Sequence, residues 1–182
     1  MNSTRRDWIL GSLGSSALAA IASAHEHASR AVKGTTASQF EFFDAMTAAD
    51  IAALAAQIIP SDDGPGAQEA GVIYFIDRAL KTFDADKQDV YRTGMIEVQN
   101  MRGKMFPAST SIASLSHEQQ CQLIQAIDKS EFFEQLRIHT VLGFLGNPSY
   151  GGNREEVGWK YIGFENRMAF EPPFGFYDAE AK

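Results

Sequence analysis

From Thr47 to Gly146 the apolar residues recur at three- and four-residue spacing, in runs closed by Pro, Gly or Ser. No alternating apolar–polar stretch of useful length lies between those runs, so the chain has the periodicity of helices and not of strands. TAADIAALAAQIIP opens on Thr47 with Asp50 three residues later, the spacing of a reciprocal helix cap, and Pro60 stops it. Ile51, Leu54, Ala55 and Ile58 supply its apolar face. GVIYFIDRALKTF predicts a second helix, and ADKQDVYRTGMIEVQNMRGKMF a third with Val90, Met95, Val98 and Met101 inward. Ser116 and Gln119 form a capping box ahead of Leu123, Ile124 and Ile127. SEFFEQLRIHTVLGFLG, ending at Gly146, is the fifth. The expectation is an all-α fold: a compact domain of about five helices, then an irregular C-terminal segment rich in glycine, proline and aromatic residues.

The 182 residues suffice for one domain with a sizeable core, and 45% hydrophobic against 21% charged residues is a globular balance. A net charge of −7 with no basic stripe argues against nucleic acid, whose phosphates need Lys and Arg. Cys121 is the only cysteine, so no intramolecular disulfide forms and no cluster or structural zinc rests on thiolates alone; a partly buried helix position is its expected place.

The N-terminus carries a different kind of signal. Arg5 and Arg6 precede an uncharged run from Trp8 to Ala24, and Ala22-Ser23-Ala24 offers small side chains for signal cleavage. The pattern resembles a twin-arginine export signal over 1–24, with Trp8 standing where Phe or Leu is usual. As a membrane anchor, the competing reading, the run is short and diluted by Gly and Ser against the roughly 20 apolar residues a span needs. Residues 25–46 read as a leader ending in a docking point at Phe40, Phe42 and Phe43, and 47–182 as the helical domain with its C-terminal segment. The twin-arginine route carries proteins that fold before crossing, so the chain holds a cofactor or travels with a partner that does.

Chemistry of its own is hard to find. Asn147-Pro148-Ser149-Tyr150-Gly151 half-resembles a nucleophile elbow, but its glycine offset is wrong and no strand precedes it. No phosphate-loop pattern and no Glu-x-x-His pair occurs. Asp62 and Asp63 lack further ligands at calcium-loop spacing and read as a solvated turn. His25 and His27 flank the expected cleavage site, and His117 sits in a capped first turn. His139, on the apolar fifth helix, is the most interesting titratable group; a hydrogen-bonded core or interface histidine is the expectation. No catalytic, cofactor-binding or metal-ligating set emerges, and a partner that owns the cofactor resolves the puzzle.

IIPSDDGPGAQEAGVIYFIDRAL, GFLGNPSYGGNREEVGWKYIGF and EPPFGFYD together resemble the gluconate 2-dehydrogenase subunit 3 family, from roughly Thr47 onward. The resemblance implies a non-catalytic small subunit of a flavin-dependent, glucose–methanol–choline type sugar or alcohol dehydrogenase. It implies no cofactor in this chain, FAD in the large partner subunit, and in many complexes a cytochrome c subunit beyond it. It implies too that Arg5 and Arg6 take both subunits to the periplasm through the twin-arginine translocase. Asn147, Pro148, Gly151, Gly152 and Asn153 would then fix an irregular backbone that presents Tyr150 and Trp159 to the partner, with Arg154 ready to pair with a carboxylate. Packing of this loop onto its own helices is the alternative at this point. The rival function is a free-standing periplasmic enzyme or ligand-binding protein using His139 and the glycine-rich loop.

Overall fold

A computed structural model describes residues 40–167 and Ala169. The export signal with Arg5 and Arg6, the leader up to Gln39 and the tail from Phe170 lie outside the described residues. Six helices succeed one another: α1 Ala45–Ile58, α2 Val72–Lys81, α3 Gln88–Met105, α4 His117–Ile127, α5 Glu131–Leu145 and the short α6 Val157–Tyr161. No strand occurs among the described residues, so the all-α expectation stands. The sixth helix is new, cut from the segment expected to be irregular.

The cap of α1 differs from the sequence expectation. Asp44, not Thr47, is the N-cap; its Oδ1 accepts from the backbone N–H of Met46 and of Thr47, both at 2.9 Å. Thr47 supports that cap by donating its hydroxyl to Asp44 Oδ2 at 2.8 Å. These bonds, those from Thr47 foremost, hold the Asp44 carboxyl below the ordinary Asp value. Asp50 has a different use. It is buried, and its carboxylate accepts from the Ala113 N–H at 2.8 Å and from the Gln99 amide, tying α1 to the loop before α4 and to α3.

The other caps agree with the sequence. Ser116 and Gln119 complete their capping box on α4, and Ser130 caps α5 through the Phe133 N–H. The chain enters α1 through the expected aromatic docking point. Phe43 is buried, Phe40 stacks on Tyr74, and the buried Asp77 carboxylate accepts from the N–H groups of Glu41, Phe42 and Phe43 at 2.7 to 3.0 Å.

The core is built around α5, which packs against α1, α2, α3 and α6. Glycines let two of these crossings close up: a Cβ at Gly94 would sit 2.4 Å from Phe132, and one at Gly143 would sit 3.1 Å from Phe75. Ile51, Leu54, Val72, Ile76, Leu80, Leu123 and Leu136 are fully buried between them. Replacing any one of the Leu or Ile residues by Ala would cost about 2–5 kcal/mol.

Candidate functional site: the C-terminal end of α5 and the surface beside it

A helix that ends at Leu145 leaves its last carbonyls without intrahelical donors. Here the glycine-rich segment supplies most of them. Gly146 N–H donates to Leu142 O at 2.7 Å, Asn153 N–H to Gly143 O at 2.7 Å and the Trp159 indole N–H to Leu145 O at 2.6 Å. The Asn153 side chain adds Nδ2 to Gly146 O at 2.9 Å, while its Oδ1 accepts from Gly158 N–H at 2.9 Å. Asn153 is fully buried, with φ +44, a conformation Asn tolerates better than most residues. A Cβ on Gly152 would stand 2.2 Å from Gly143 O, and one on Gly158 2.0 Å from Phe144 O. The run of glycine and asparagine is therefore an extended C-terminal cap, wrapped so closely on α5 that side chains would not fit.

The rest of the segment is pinned to α2. Asn147 caps the turn Pro148–Tyr150 by accepting from Ser149 N–H, and Arg78 donates to Ser149 O at 2.8 Å. Gly151, at φ +104, brings its backbone against Tyr74 O. Arg154 donates its backbone N–H to Ala70 O and lays its guanidinium 3.6 Å from the centre of the Tyr74 ring. Glu155 and Glu156 come next at φ +54 and +60, a left-handed stretch that side chains rarely adopt.

These positions correct one expectation. Trp159 is buried, its ring against Phe164 and its N–H on Leu145 O, so it is not presented at the surface of the described domain. Arg154 is half-buried on Tyr74, and Gly152 and Asn153 are buried. Asn147 and Tyr150 do face out, as do Tyr161 and Ile162 further on; Tyr150 is half exposed and edge-on to the equally exposed Phe83 at 5.8 Å.

His139 is buried beneath this surface. Its Nδ1 lies 2.9 Å from the Tyr91 hydroxyl; its Nε2 lies 2.9 Å from the Gln135 amide and 3.2 Å from Asp84 Oδ2. The Asp84 carboxylate favours a proton on Nε2, leaving Nδ1 to accept from Tyr91. Burial pushes the Tyr91 hydroxyl well above its usual pKa, so it stays a donor. Burial likewise lowers the imidazole below its ordinary value, with Asp84 opposing. Both ring nitrogens are engaged inside the fold, which makes His139 a core histidine. Cys121 is partly buried, as its place on a helix suggested, and donates to Gln57 Oε1 at 3.3 Å.

The sequence pattern described as gluconate 2-dehydrogenase subunit 3 matches residues 45–165. The chain belongs to the gluconate 2-dehydrogenase subunit 3 family. No curated protein and no solved structure matches it. The family match starts at the first residue of α1 and ends just after Phe164, so it takes in all six helices and the cap on α5. A subunit of a dehydrogenase complex is thus the plain description of the chain. Among the described residues no group of three His, Cys, Asp or Glu side chains is arranged to hold a metal ion, and no helix is long and apolar enough to cross a membrane.

What residue-by-residue reading of the sequence missed is an apolar surface. Ile138, Val141 and Leu142 on α5 are exposed, with Phe83 and Tyr150 nearby. The signal was the absence of a polar face in RIHTVLGFL.

Proposed function

We propose that this chain is the non-catalytic small subunit of a flavin-dependent, glucose–methanol–choline type sugar dehydrogenase, required for assembly, stability and co-export of the large catalytic subunit. FAD belongs to that large subunit, and a cytochrome c subunit carries the electrons onward. Arg5 and Arg6 are the twin-arginine address that delivers both chains to the periplasm, where the complex works at the membrane. Asn147, Pro148, Gly151, Gly152 and Asn153 hold the frame from which Tyr150 meets the partner.

The observation that carries this reading is the family match across the whole helical core. The burial of His139 supports it, because a ring whose nitrogens face Tyr91, Gln135 and Asp84 offers no atom to a substrate. The test is native purification of the tagged full chain from its own host, with a visible spectrum and mass spectrometry of what accompanies it. The expected result is a stoichiometric flavoprotein with flavin absorbance and dye-linked sugar oxidation. A colourless, solitary chain that binds or turns over a sugar by itself would overturn the proposal.

A further inference from the structure

We propose that the exposed stripe of α5, Ile138, Val141 and Leu142, together with Phe83 and Tyr150 beside it, is the surface on which the catalytic subunit docks. The inference rests on the subunit reading above and adds the place and the chemistry of contact.

Helix α5 is apolar on two sides. Its inner side buries Phe132, Leu136, His139, Thr140, Gly143 and Phe144. Its outer side carries Ile138 and Val141, each 38% exposed, and Leu142, 47% exposed. Their spacing continues to the half-buried Leu145, so the four make a second stripe at helical periodicity. A helix that is hydrophobic all round is ordinarily buried all round. The neighbouring α4 shows the usual alternative, with Glu118, Gln122 and Gln125 outward.

The two aromatics stand where α2 meets α5. Asp84, the residue after Phe83, reaches His139 Nε2, and His139, on the inner side of α5, follows Ile138 in the chain and sits one turn before Leu142. The Phe83 ring packs on Phe75, which covers Gly143, and Tyr150 then packs on Phe83. The cap on α5 and the Arg78 bond to Ser149 fix the backbone on either side of Tyr150, and its ring rests edge-on against Phe83. Exposed aromatics and an exposed aliphatic stripe have the composition of an interface core.

The chemistry selects the occupant. The nearby charges Glu134 and Arg137 are paired with each other at 2.7 Å, leaving the stripe to an uncharged, apolar partner surface. A second copy of this chain would bring together two molecules of net charge −7, an unfavourable approach. The family description makes the chain a subunit of a dehydrogenase, and its catalytic subunit is the partner that description calls for.

The experiment measures binding of the purified flavoprotein subunit to full-length variants Leu142→Asp and Ile138→Ser, with Ile96→Asp on α3, 64% exposed, as the control. Leu142→Asp should raise the dissociation constant about thirtyfold or more, Ile138→Ser by less, and Ile96→Asp not at all. Melting curves of all three should overlay the wild type; if aspartate disturbs folding, Ile138→Ser carries the test. Wild-type affinity in well-folded Leu142→Asp or Ile138→Ser would overturn the proposal. So would a self-associating wild type that Leu142→Asp makes monomeric, since the face would then belong to a second copy. Failure of the wild type to bind any flavoprotein would instead remove the subunit reading, and this face with it.

Discussion

Asp50, Asp77 and His139 are buried, and each takes its hydrogen bonds from inside the fold. For the two carboxylates the donors are chiefly backbone N–H groups, which lock a loop and the entrance to α1. His139 differs because its charge state changes near neutral pH. Burial lowers its folded pKa beneath the ordinary imidazole value, and Asp84 offsets only part of that. The unfolded chain therefore takes up the proton first as pH falls, so stability is full above the unfolded pKa and declines below it until the folded pKa is passed. The melting temperature of the wild type should fall as the pH drops below the ordinary imidazole value of about 6.5. His139→Gln should cost about 1–2 kcal/mol at neutral pH, since it loses ring packing and part of the Tyr91 and Asp84 bonding. It should also flatten the decline, which calorimetry of the full chain at several pH values measures. Equal slopes in both proteins would assign the pH dependence to another group.

Among the elements, α5 depends on something outside itself to end properly. The segment from Gly146 to Trp159 covers its terminus, and Gly158 is the tightest point, with Phe144 O 2.0 Å from where a Cβ would be. Gly158→Ala must push α6 away and weaken both the Trp159 bond to Leu145 O and the Asn153 bond to Gly158 N–H. The expected loss is about 2–3 kcal/mol in urea denaturation, with a red shift in Trp159 fluorescence as the ring meets water. Gly103→Ala, which meets nothing within 4 Å near the end of α3, should be neutral or slightly stabilising. Helices α1 to α5 were legible because each carries its own period and its own stop; the five-residue α6 is too short to show a period. The α1 cap was not, because Asp44 and Thr47 are both good cap residues and the deciding fact is the remote Ala113 N–H that claims Asp50. Composition likewise announced that residues 146–153 would be irregular. It could not announce that their donors aim at the carbonyls of α5, since those partners are set by the packing of the whole C-terminal third. Trp159 was misplaced for the same reason: an aromatic beside glycines looks like a surface anchor until its N–H finds Leu145 O.

At the scale of the molecule, the helical unit begins at Phe40, where Asp77 fastens the backbone of Glu41 to Phe43, and the residues read as an export address lie upstream of that point. The proposed address and the helical fold would thus occupy separate parts of the sequence. Two variants separate the roles. Changing Arg5 and Arg6 to Lys together should leave both this chain and the flavoprotein in the cytoplasm, because a receptor-read address is lost while docking is intact. Leu142→Asp should do the opposite, sending this chain out alone and leaving the flavoprotein behind. Fractionation of periplasm and cytoplasm, with immunoblots for each subunit and flavin-linked activity, reads both at once. Periplasmic flavoprotein in the double lysine variant would show that the large subunit reaches the periplasm by its own route. Periplasmic flavoprotein with Leu142→Asp alone would show that the two chains leave together through contacts other than the stripe on α5.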